Sequence, residues 1–127
     1  MIKDIVLKSV PNEDIKLRKG FTGADWWFED ETLHVRVALE LEWRERMALA
    51  VHEISEAILC KYLGITHEQV DEFDLTQQEN ELHGLNAGDE PNAPYRLPHT
   101  FATAIERIMT GVMDVDWSSY DERLSKL

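Results

Sequence analysis

Near residue 40 the spacing of apolar residues changes period, and that change restricts the chain to folds in which strands precede helices. Leu33, Val35 and Val37 alternate with His34 and Arg36, the two-residue repeat of a half-buried strand. From about Leu41 to Leu63 the repeat lengthens: Trp43, Met47, Ala50, Ile54, Ala57 and Ile58 fall at three- and four-residue steps along one side of a helix. Upstream, aromatic and β-branched residues flank the acidic turn Glu29-Asp30-Glu31, which predicts a β-hairpin over residues 21–37. Ile5, Leu7, Ile15 and Leu17, interrupted by Pro11-Asn12, predict two short strands or one strand and an irregular arm. The expected fold is α+β: a small antiparallel N-terminal sheet of three or four strands on a helix centred on His52, with two or three further helices.

The punctuation downstream supports those helices. Gly64 supplies a C-terminal stop, and Thr66 with Gln69 forms a capping-box pattern for a second helix running from His67 through Val70 and Phe73 toward Glu79. Between His83 and Pro98, Gly84, Gly88, Pro91, Pro94 and Pro98 mark a long connection, expected to be a lid or wall. A third helix is expected near His99, with Pro98 in its first turn, and Ser118 with Asp121 is expected to cap a short last one. At 127 residues the chain has the length of one domain, 1–127.

Composition narrows function. Lys and Arg total 13 against 25 Asp and Glu, a net charge of −12 that repels phosphate backbones and anionic lipid, so no direct nucleic-acid or membrane binding is expected. Residues 1–10 mix charges among apolar residues, unlike a secretory signal, and no apolar run approaches the ~20 residues of a spanning helix. A single cysteine, Cys60, closes no intrachain disulfide, which fits a cytoplasmic location, and on a helix it reads as a buried small hydrophobe.

The sharpest chemical feature is His52-Glu53-Ile54-Ser55-Glu56. His52 and Glu56, four residues apart on a helix, project from one face and can grip one metal ion, while Glu53 can act as general base toward a metal-bound water. His99, at an expected helix start beyond the long loop, is the candidate third ligand, with Asp89 and Glu90 in reserve. Two imidazoles and a carboxylate suit a divalent transition ion, zinc first, with manganese or iron as alternatives. The plain alternative makes His52 and Glu56 a polar pair on a surface helix. Of Trp26 and Trp27, alternation puts one in the core; the other walls a pocket or lies exposed. Tyr95 reads as a packing residue more readily than as an oxyanion donor. Asp71, Glu72, Asp74, Glu79 and Glu81 read as a solvated helix face, and His34, His67 and His83 carry no spacing signal.

The order hairpin, strand, then a helix bearing H-E-x-x-E resembles the minimal zincin metallopeptidase core over residues 21–63 plus His99. The resemblance implies that His52 binds zinc and Glu53 activates water; Glu56 stands where that family has its second histidine. It also implies a peptide or protein substrate, with the strand Leu33–Val37 offering its edge to an extended chain. Residues 48–60 and 94–107 are similar to segments of small uncharacterised proteins of bacteriophages and prophages, which suggests that His52, Glu56 and His99 share a site. Two function classes follow. One is a metal-dependent hydrolase, most simply a peptidase; the other is a non-enzymatic acidic module, such as a phage accessory protein, that engages a basic surface.

Overall fold

The computed structural model describes residues 1–15, 23–79 and 87–127. Among these, three strands and four α-helices form an α+β fold: β1 (Asp4–Val10), β2 (Ala24–Glu29), β3 (Thr32–Ala38), α1 (Trp43–Leu63), α2 (His67–Glu79), α3 (Arg96–Val112) and α4 (Trp117–Ser125). The alternating segments become β2 and β3, paired antiparallel with Trp26 opposite Val35. Asp30 turns the hairpin at a φ of 55°, a left-handed conformation that aspartate tolerates better than most residues.

β1 departs from the expected antiparallel sheet. It pairs parallel with β3, so the sheet is mixed, with order β1-β3-β2. A parallel neighbour requires a long return, and residues 11–23 lie between β1 and the hairpin, beginning with a 3₁₀ turn at Asn12–Asp14. The edge expected to be open at Leu33–Val37 is therefore absent, because β3 is central and bonded on both sides. Leu17 lies outside the described residues.

Leu33, Val35 and Val37 are fully buried, and α1 crosses both β2 and β3. On the opposite face Trp27 stacks on His34 at 5.0 Å, and Arg36, paired with buried Asp25, lies over the Trp27 ring. Trp26 is the core tryptophan and Trp27 walls the outer face.

Helix boundaries follow local chemistry. Glu42 and Glu45 form a reciprocal capping box at the start of α1, and Gly64 ends it at a φ of 75°. Thr66 and Gln69 exchange the expected capping bonds before α2. α3 starts at Arg96, three residues before His99, with Pro98 in the first turn. At α4 the cap is Asp116, which accepts from the Ser119 backbone, and not Ser118 with Asp121; Trp117 is already helical.

The inward face of α1 differs in part from expectation. Trp43 and Ile58 are exposed, whereas Glu45, His52, Glu53 and Glu56 are buried beside Ala48, Leu49, Ala57 and Cys60. Apolar spacing located the helix and rightly turned Ala50, Ala57 and Ile54 inward, but it placed Trp43 and Ile58 there too, because this interior accepts charged side chains that have partners in place of them. Leu33→Ala should cost about 2–5 kcal/mol in urea unfolding, the range for a buried leucine. Leu7→Ala on the more exposed β1 should cost about 1 kcal/mol or less.

Candidate metal centre

α1 and α3 pack against each other and bring together the three residues that the sequence nominated. His52, Glu56 and His99 are 6%, 2% and 5% exposed, which excludes the surface-pair reading of His52 and Glu56. The His52 and His99 rings stand 4.9 Å apart, centroid to centroid. Glu56 Oε2 lies 3.3 Å from His52 Nε2 and 2.9 Å from His99 Nδ1. One donor atom from each of the three lies within 4.8 Å of the others.

Those separations suit a small cation. Ligand atoms ~2.1 Å from a tetrahedral ion stand about 3.4 Å apart, so closing this trio on an ion needs shifts of an ångström or so. Behind each inward atom stands an orienting group. Trp26 Nε1–H donates to Glu56 Oε1 at 3.0 Å. Glu106 Oε1 lies 2.8 Å from His52 Nδ1, and Tyr120 O–H donates to Glu106 Oε2 at 2.5 Å. Asp89 Oδ1 lies 3.4 Å from His99 Nε2. Backing of this kind fixes imidazole orientation and raises ligand basicity at metal sites.

Electrostatics point the same way. Glu53, Glu56 and Glu106 are all buried around two histidines, a concentration of acidic side chains in which a cation would be welcome. Burial opposes a charged His52, but its hydrogen bonds with Glu106 and Glu56 outweigh that cost and hold its pKa well above the usual histidine value. Tyr120 is held neutral, first by burial and then by the adjacent Glu106 charge, both of which push its pKa up.

The remaining candidates fall into place around this centre. Asp89 backs His99 and is not part of the trio, and Glu90 is absent from it among the described residues. Tyr95 is buried with its ring edge-on to His99, and its O–H donates to Asp74. That contact corrects the reading of Asp74 as solvated: it is buried. Glu53 is buried next to His52 and within electrostatic reach of Tyr120, while Arg107 lies over the Trp117 ring. Cys60 is buried as expected. His83, Gly84, Glu81 and the Glu79 side chain lie outside the described residues, but the loop does form a wall at Ala87–Asp89. There a Cβ on Gly88 would come 2.4 Å from His99 Cγ, so only glycine lets this turn seat against the imidazole.

Sequence reasoning missed Trp26, Glu106 and Tyr120 as parts of the site. Glu106 had a readable signal, since it follows His99 by seven residues and therefore lies on the same helical face two turns away. Trp26 and Tyr120 had none, because their roles depend on sheet register and on where α4 docks. Comparison of the chain with protein-family models, curated proteins and solved structures found no match.

Gly88→Ala should displace the His99 ring and destabilise the fold by about 1–3 kcal/mol, as overpacking does, measured by chemical denaturation. The raised pKa of Tyr120 has a definite sign. The folded chain keeps a proton that the unfolded chain loses near pH ~10, so stability should decline as pH rises beyond that point. Tyr120→Phe should remove that part of the alkaline decline in a stability-against-pH series.

Proposed function

We propose that the chain binds one divalent transition ion, zinc foremost, through His52, Glu56 and His99, and that it works as a metal-dependent hydrolase with a zincin-like motif helix. The observation that supports this reading is the convergence of two imidazoles and a carboxylate with an orienting group behind each. Bound there, the ion would supply Lewis acidity and an acidified water at any position the three side chains leave open.

The chain's own residues have separable roles in this reading. Glu106, held by Tyr120, orients His52; Asp89 and the close-packed Gly88 orient His99; Trp26 holds one oxygen of Glu56 and leaves the other facing the imidazoles. Glu53 is the proton acceptor, since it neighbours His52 in a buried setting. Addition of an extended peptide to β3 forms no part of the reading, because both edges of that strand are taken.

The near-complete enclosure of the trio favours a second reading, in which the ion clamps α1 to α3 in an acidic, non-enzymatic binding module of the kind a phage accessory protein provides. Metal analysis of tag-free protein tests what the two share. One equivalent of zinc per chain is expected, lost in His52→Ala and His99→Ala and bound about 10–100-fold more weakly in Glu106→Gln. Wild-type protein that takes up no ion refutes both readings. Turnover of a fluorogenic peptide library separates them: Glu53→Gln should keep the ion and lose about 10²–10⁴-fold in rate if Glu53 is the base. Metal-loaded wild type without turnover, whose melting temperature falls on chelation, is the structural clamp.

A further inference from the structure

α3 is amphipathic in the reverse of the usual sense. Its buried residues include His99, Glu106 and Thr110, while Leu97, Phe101, Ile108 and Val112 are 72%, 53%, 66% and 80% exposed. With exposed Ala104 these residues step by four, three, four and four along the helix, close to the repeat of a helix-pairing seam. An apolar stripe of that length on a soluble chain marks an association surface, and two features identify its occupant.

The first feature is register. The stripe reads nearly the same in both directions about a point between Ala104 and Ile105. Two copies of α3 laid antiparallel across a two-fold axis there would oppose Leu97 with Val112, Phe101 with Ile108, and Ala104 with Ile105. An isologous contact requires such self-complementarity, with residue i meeting j and j meeting i, and an unrelated partner does not.

The second feature is charge. In a chain of net charge −12, the exposed positions of α3 carry no carboxylate, and the charged groups among them are Arg96 and Arg107. A basic partner would find nothing to pair with on this face. A second copy can approach here without setting acid against acid, although acid elsewhere on the two chains still repels at long range.

We propose that the outward face of α3 is a homodimer interface, formed by antiparallel α3–α3 packing about an axis near Ala104. The inference is independent of the metal centre, which occupies the opposite face of the same helix. A 17-residue helix is about 25 Å long, and one helix pair of that size lies at the small end of specific interfaces, so association in the micromolar range is expected.

Sedimentation velocity of the full chain over a concentration series tests it. The mass should rise from 14.7 kDa toward twice that value with concentration. Added salt should strengthen the association by screening the net charge. Phe101→Glu and Ile108→Glu, at exposed positions, should hold the chain at 14.7 kDa with an unchanged circular dichroism spectrum. Ala104→Cys, next to the axis, should cross-link into a dimer under copper-phenanthroline oxidation, whereas Glu68→Cys on the exposed face of α2 should not; native Cys60 is buried and contributes no background. A wild-type chain that stays at 14.7 kDa throughout overturns the proposal, including the case in which some other protein then proves to occupy the stripe. Association that survives both glutamate substitutions overturns it as well.

Discussion

The carboxylate of Glu56 joins the sheet to both long helices. One oxygen accepts from Trp26 on β2, and the other sits between His52 of α1 and His99 of α3. A carboxylate 2% exposed has given up most of its hydration, and these partners help to offset a cost that amounts to several kcal/mol for an unpaired ion. The relative placement of three elements is thereby tied to one side chain. Trp26 can reach it because the β2–β3 register sets the indole on the inner face opposite Val35, and that face is the one α1 covers.

The same demand spreads outward from Glu56. Glu106 Oε1 stands 2.8 Å from the second nitrogen of His52, and Tyr120 donates to the other oxygen of Glu106, which brings α4 into the network. Glu45 at the head of α1 is likewise buried, and Arg123 of α4 bonds it at 2.7 Å. Polar groups thus occupy positions on α1 and α3 where most small domains place leucine or valine. With those faces turned inward, the apolar residues of α3 are left outside. Internal polarity and external stickiness are two results of one choice of helix phase.

The hairpin, the limits of α1, the capping box before α2 and the shared face of His52 and Glu56 were all legible in the amino-acid order, whereas His99 could only be nominated as a distant third member. Each is a statement about spacing: two-residue alternation for a strand, four residues for one helical face, a side chain three residues from the backbone group it caps. The inward face of α1 was legible only in part. Its apolar residues rightly pointed Ala50 and Ala57 inward but also Trp43 and Ile58, and the burial of its polar residues depends on partners such as His99, Glu106 and Trp26 from elsewhere in the chain. Asp74 was read as solvated for a similar reason, since the Tyr95 hydroxyl that donates to it comes from a distant segment.

By itself the sequence determined the hairpin, the limits of α1 and the start of α2, because alternation, capping and left-handed stops such as Gly64 act over a few residues. It also determined that His52 and Glu56 share a face, because helical geometry guarantees it. Tertiary structure decided the rest. It made β1 parallel and β3 central, chose which face of each helix is buried, and gave each candidate ligand its backing group. Those outcomes rest on contacts such as Trp26 with Glu56, 30 residues apart, and Glu56 with His99, 43 apart. Such contacts form only when the packed chain removes both partners from water, and no local spacing encodes which distant group will be there.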